Sequence, residues 1–171
     1  MVEKHISRKK QVREYADYVS NQMLRWAQKR YKLSEKIIDY DLIASFDKKR
    51  IYSYGGWHKK RNGHYRPYLN LSISECVNFK PQLISEYDWY KKDPIIGQRW
   101  AATWKYYIRF LVAHEVSHVV EMAQHFLNPE EKERLINRFG RSKLTDDHSE
   151  NFQKIYRILR RKYVNRVRKI K

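Results

Sequence analysis

The sequence predicts an α+β fold: an N-terminal helix, a small antiparallel or mixed sheet, a central apolar helix and a C-terminal helix. Three observations predict it. Between residues 12 and 31 the apolar side chains Val12, Tyr15, Ala16, Val19, Met23, Trp26 and Ala27 recur at helical spacing. From 39 to 77 the pattern changes to short runs of Tyr, Leu and Ile, broken by Gly55-Gly56 and Asn62-Gly63. Beyond residue 100 the helical period returns in a longer and more apolar stretch.

Taken in order, the first element is an amphipathic helix over 12–31, with one apolar stripe to bury. Strands are expected at 41–47, 50–57 and 65–74, with both glycine pairs supplying turn chemistry between them. "FKPQLISEYDWYKK" reads as a short helix. Asp93-Pro94 then reads as a helix start, aspartate capping and proline in the first turn. The long helix that follows carries Trp104, Tyr107, Ile108, Leu111, Val112, Val119, Val120 and Ala123, and Asn128-Pro129 ends it. "PEEKERLINRFG" predicts another short helix closed by Gly140. Thr145 or Asp146 can cap the last helix, which runs through Phe152, Ile155 and Leu159 towards Val167.

The 171 residues suit one domain, 1–171, with a basic C-terminal helix or tail over about 154–171. With 42% apolar residues a core can form, although 33% are charged. The net charge of +18 attracts phosphate or anionic lipid and carries no information on fold. The N-terminal stretch has no apolar signal-peptide core, and no window is long and apolar enough to span a membrane. Cys76 is the only cysteine, which excludes a disulfide framework and a cysteine zinc ribbon. The expectation is a cytoplasmic protein, of the nucleoid or of a phage-infected cell. The wealth of Lys, Tyr, Asn and Ile matches an AT-rich genome.

"FLVAHEVSHVVEMAQ" places two histidines and a glutamate in the middle of the most apolar helix. His114 and His118 are four residues apart and so share one helical face, one turn apart. That spacing lets both imidazoles reach one tetrahedral ion. Glu115, next to the first of them, can hold a water without binding the metal. This is the HExxH pattern of zinc peptidases. Two inert histidines, each hydrogen-bonded within a core, are the bland alternative.

A catalytic zinc needs a third protein ligand. His125 stands seven helical residues from His118, about 10.5 Å along the axis, and cannot share the ion unless the helix breaks. The extended HExxHxxGxxH pattern is excluded, because Glu121 and Gln124 stand where it needs Gly and His. His148 in "LTDDHSENFQKIY" is the best candidate, in the first turn of the last helix with Phe152 packing beneath it. Glu121 and Glu150 are the rival third ligands, and Asp146 or Asp147 can orient a ligating imidazole.

These residues resemble the SprT-like metallopeptidase family, zincin-like proteins that include the Spartan proteases of DNA–protein crosslinks. The order is similar over roughly 12–160: an N-terminal helix, a sheet with a glycine turn, an HExxH helix, then a distal "HGxxF"-type ligand. The counterparts here are Gly55-Gly56, "YLNLSIS", "HEVSH" and "HSENF". Ser149 stands where that motif has glycine, thirty residues separate His118 from His148, and no cysteine ribbon follows. The resemblance implies a Zn2+ cofactor held by His114, His118 and His148, with Glu115 as general base in peptide-bond hydrolysis. It also implies protein substrates at or crosslinked to DNA. "YLNLSIS" is either an internal strand or one that an extended substrate joins.

Two segments concentrate positive charge. "KIYRILRRKYVNRVRKIK" carries nine Lys or Arg and no acid, with Arg160, Arg161 and Lys162 at its centre. "WHKKRNGHYRPY" interleaves Trp57 and Tyr65 with Lys59, Lys60, Arg61 and Arg66, a mixture that can stack on bases while neutralising phosphates. Both predict contact with single-stranded or mixed DNA; a solvated hairpin tip is the plainer reading. The alternative function is a non-catalytic nucleic-acid-binding protein with a structural zinc. A nuclease suggested by "DDHSEN" fails, since no histidine follows His148.

Overall fold

The computed structural model describes residues 7–33, 36–49, 52–61, 63–85, 91–125 and 148–165. Helix α1 spans Arg8–Tyr31, starting where the Ser7 hydroxyl accepts the Lys10 amide and stopping at Lys32 in the left-handed region. Its inward stripe of Val12, Ala16, Val19, Met23, Leu24 and Ala27 is buried, as the apolar spacing requires.

Strands β1 (Asp41–Ser45), β2 (Tyr54–Lys59) and β3 (Tyr65–Ser72) form a mixed sheet in the order β1-β3-β2. β3 runs parallel to β1 and antiparallel to β2. Along β3, Pro67, Leu69 and Leu71 alternate inward. Gly63, at φ 84°, makes the β2–β3 turn, in which its amide donates to the Lys60 carbonyl. Gly55-Gly56 is not a turn: both residues lie inside β2, paired with Leu69 and Tyr68. β3 is the central strand, so Tyr68, Leu69 and Asn70 of "YLNLSIS" are paired on both sides and offer no edge for a substrate to join.

Two expectations for the middle of the chain are corrected. Gln82–Ile84, expected within a short helix, is strand β4, paired antiparallel with β5 (Arg99–Ala101). Asp93 does cap, its carboxylate accepting the Ile95 and Ile96 amides, but only for one turn. The chain then leaves through β5, and the long helix α2 begins at Trp104, where the Thr103 hydroxyl accepts the Tyr106 amide.

α2 (Trp104–His125) packs against α1, β2, β3 and the last helix, α3 (Glu150–Leu159). Enclosure on so many sides is why its apolar residues are not confined to one stripe. α3 is capped by Ser149, three residues past Asp146, so His148 stands just before the helix and not in its first turn. After Leu159 the chain continues as a π-helical turn, Arg160–Val164. The expected helix over 129–140 and the Asn128-Pro129 stop lie outside the described residues, as do Thr145, Asp146 and Asp147. Among the described residues no helix is long and apolar enough to cross a membrane.

Candidate metal centre

α2 presents His114 and His118 one turn apart, and the residue before the α3 cap brings His148 to the same point. The His114 Nε2 lies 3.2 Å from the Nε2 of His118 and 3.2 Å from that of His148. One ligand atom from each of the three residues falls within 4.8 Å of the other two. His148 completes the triad.

The His114 Nε2 faces the Nε2 of both His118 and His148 at 3.2 Å, and which nitrogen donates in each pair depends on the tautomer. A single cation among the three nitrogens would accept one lone pair from each. Tetrahedral zinc at its usual nitrogen distance sets its ligand atoms about 3.3–3.4 Å apart, close to the spacing seen here.

The surroundings favour the neutral, ligating form of His118. Burial, then the neighbouring His114 and His148, push the His118 pKa down to about 3. Phe152 forms a floor, its ring centroid 4.4 Å from that of His118, 4.8 Å from His148 and 5.1 Å from His114. Tyr156 extends that floor beside His114, and both aromatic residues are fully buried. All three histidines are themselves only half-buried.

Glu115 is buried, and its main chain rests on Gly55 of β2. Next along the helix, the Trp57 indole N–H donates to the Val119 carbonyl at 3.0 Å, joining β2 to α2 a second time. The rival third ligands are placed elsewhere. Glu150 is exposed in the first turn of α3. The Glu121 carboxylate accepts the Ser149 hydroxyl and the Phe152 amide. α2 is unbroken through His125, which keeps that residue two turns beyond His118.

Sequence reasoning missed Glu121 and Ser149 as the fastening of the site. Ser149 accepts the Asn151 and Phe152 amides on its hydroxyl oxygen and is the helix cap. The signal available was a Ser three residues before a helical Phe.

The basic residues divide. Lys59, Arg61 and Tyr65 are exposed at the β2–β3 tip, and Arg161 is exposed after α3. Lys60 pairs with Asp41 at 3.0 Å, and Arg66 pairs with Asp39 and Asp41. The Lys162 ammonium lies over the rings of Trp26 and Tyr163. One residue departs from the expected nucleic-acid surface. Arg160 is fully buried, its guanidinium 4.4 Å over the Phe110 ring and donating to the Tyr156 hydroxyl, because the π-helical turn swings it into the core. Trp57 is half-buried, with its indole N–H tied to α2.

No protein-family model, curated protein or solved structure matches this chain.

Proposed function

We propose that the protein is a zinc metallopeptidase of the SprT-like type that hydrolyses proteins bound or crosslinked to DNA. The observation that carries this reading is the meeting of three imidazole nitrogens, one of them from the residue that precedes the buried Glu115. His114, His118 and His148 would hold the ion. When bound, zinc supplies Lewis acidity, acidifying water and polarising a carbonyl.

The chain's own residues do the rest. The Glu115 carboxylate accepts the proton of the attacking water and passes it to the departing amine. Phe152 and Tyr156 exclude water from below the rings and keep charge interactions strong there. With β3 enclosed, β2 is the edge beside α2 that an extended substrate would join, through main-chain hydrogen bonds.

Contact with DNA is assigned to Lys59, Arg61 and Tyr65 at the hairpin tip, with Arg161 and Lys162 beyond α3. Cations there neutralise phosphates, and the exposed Tyr65 ring can stack on an unpaired base.

Metal analysis with a casein or histone digestion assay tests the proposal, run with and without single-stranded DNA and a chelator. The expected result is one zinc per chain, hydrolysis abolished by the chelator and stimulation by DNA. A zinc-loaded protein with no hydrolysis of any protein, with or without DNA, would favour the structural-zinc alternative.

A further inference from the structure

The start of α3 is fastened to α2 by a carboxylate that the proposed chemistry does not use. Glu121 lies three residues beyond His118 and is 7% exposed. One of its oxygens accepts both the Ser149 hydroxyl and, at 3.1 Å, the Phe152 amide. A carboxylate at that depth is unfavourable unless its charge is answered. The N-terminus of α3 contributes to that answer, since its amides and the helix dipole present partial positive charge.

The two donors bracket the site. Ser149 is bonded in sequence to His148, and Phe152 provides the floor beneath all three imidazoles. His148 reaches the centre across thirty residues of chain, whereas His114 and His118 are placed by a single helix. Its position is therefore the least determined of the three by local structure. The Glu121 bonds supply what is missing: they set where α3 begins, and so where the residue before its cap must stand.

We propose that Glu121 is a positioning residue, which holds His148 against His114 and His118 before any ion arrives and thereby preforms the site. The proposal rests on the metal-centre reading above. A purely structural role would look different. Gln124 also ties α2 to α3, but its partner is the Asn151 side-chain amide, at 3.1 Å, and not the cap hydroxyl or the Phe152 amide that Glu121 takes. If Glu121 merely glued the helices, removal of either tie would act alike.

The test is a Co2+ titration followed by visible absorption, combined with amide hydrogen exchange on the metal-free protein. It compares wild type, Glu121→Ala, Glu121→Gln and Gln124→Ala. Glu121→Ala is expected to lose about 10–100-fold in Co2+ affinity, the effect of removing a partner that orients a ligand. The Phe152 amide should also exchange faster in that variant. Glu121→Gln keeps a carbonyl acceptor and should recover most of both, while Gln124→Ala should bind Co2+ within a few-fold of wild type. Equal Co2+ affinity in wild type and Glu121→Ala, or an equal loss in Gln124→Ala, overturns the positioning role and leaves the metal reading standing. Wild-type protein that takes up no Co2+ overturns the metal reading and the ligand-positioning role with it. If Glu121→Ala does not fold, Ser149→Ala replaces it: wild-type affinity there overturns the proposal, and a loss supports it.

Discussion

Gly55 lies directly on the main chain of Glu115: a Cβ at 55 would stand 2.7 Å from the Glu115 carbonyl carbon and 2.9 Å from its Cα. Backbone cannot give way as the end of a side chain can. Gly55→Ala should therefore push β2 off α2 and destabilise the protein by about 1–3 kcal/mol. Gly56→Ala meets only the Tyr68 ring and hydroxyl, at 3.2–3.3 Å, and should act more mildly. Thermal unfolding of the two variants side by side checks the difference; equal melting temperatures would contradict it.

His148→Ala removes one imidazole of the triad while leaving the Ser149 cap of α3 in place. Zinc affinity should fall further than the ~10–100-fold typical of removing an outer partner of a ligand. Far-UV circular dichroism should stay unchanged, which separates loss of the ion from loss of the fold. A competition titration with a zinc chelator measures the effect.

Acid should loosen the junction between the 93–97 turn and α3. Burial alone would raise the Asp93 pKa, but the Ile96 and Ile95 amides and the Arg157 guanidinium outweigh it and hold the carboxyl below its ordinary range. A lowered pKa in the folded state means the pair stabilises fully above the unfolded carboxylate value near ~3.9. That stabilisation is lost as pH falls through the lower folded value. In urea unfolding, Asp93→Asn should be less stable than wild type at pH 7 by about 1.5–3 kcal/mol, the worth of a hydrogen bond to a charged group. The gap should close towards pH 2. A gap independent of pH would contradict the assignment.

For single-stranded DNA, Lys59→Ala with Arg61→Ala should weaken binding and reduce the salt slope by about 1.4, at ~0.7 per phosphate contact. Arg160→Met should leave the slope unchanged, since that guanidinium is buried against Phe110 and Tyr156. Fluorescence anisotropy across a salt series reads both.

Much of this arrangement was legible because it depends on local periodicity. Four-residue spacing within a helix dictates that His114 and His118 meet, and the apolar stripe of α1 predicts its burial. His148 was legible as an imidazole in the first turn of an apolar helix; that it stands just before that helix, ahead of the Ser149 cap, was not. What was hidden depends on approach in space. β4 and β5 are three residues each and pair across a long separation, leaving too little alternation to see. Asp93-Pro94 carries a genuine capping signal, but local chemistry cannot say that the helix stops after one turn. Nothing in the sequence pairs Glu121 with Ser149, and Arg160 looks like any other cation in its basic run until the π-helical turn buries it.

If three imidazoles hold a zinc ion for which Glu115 serves as base, zinc content and protein hydrolysis must part company in Glu115→Gln. Measured together, one zinc per chain is expected in both wild type and Glu115→Gln, with hydrolysis in the wild type alone. Turnover that persists in zinc-loaded Glu115→Gln, or wild-type protein that binds no zinc, would contradict that arrangement.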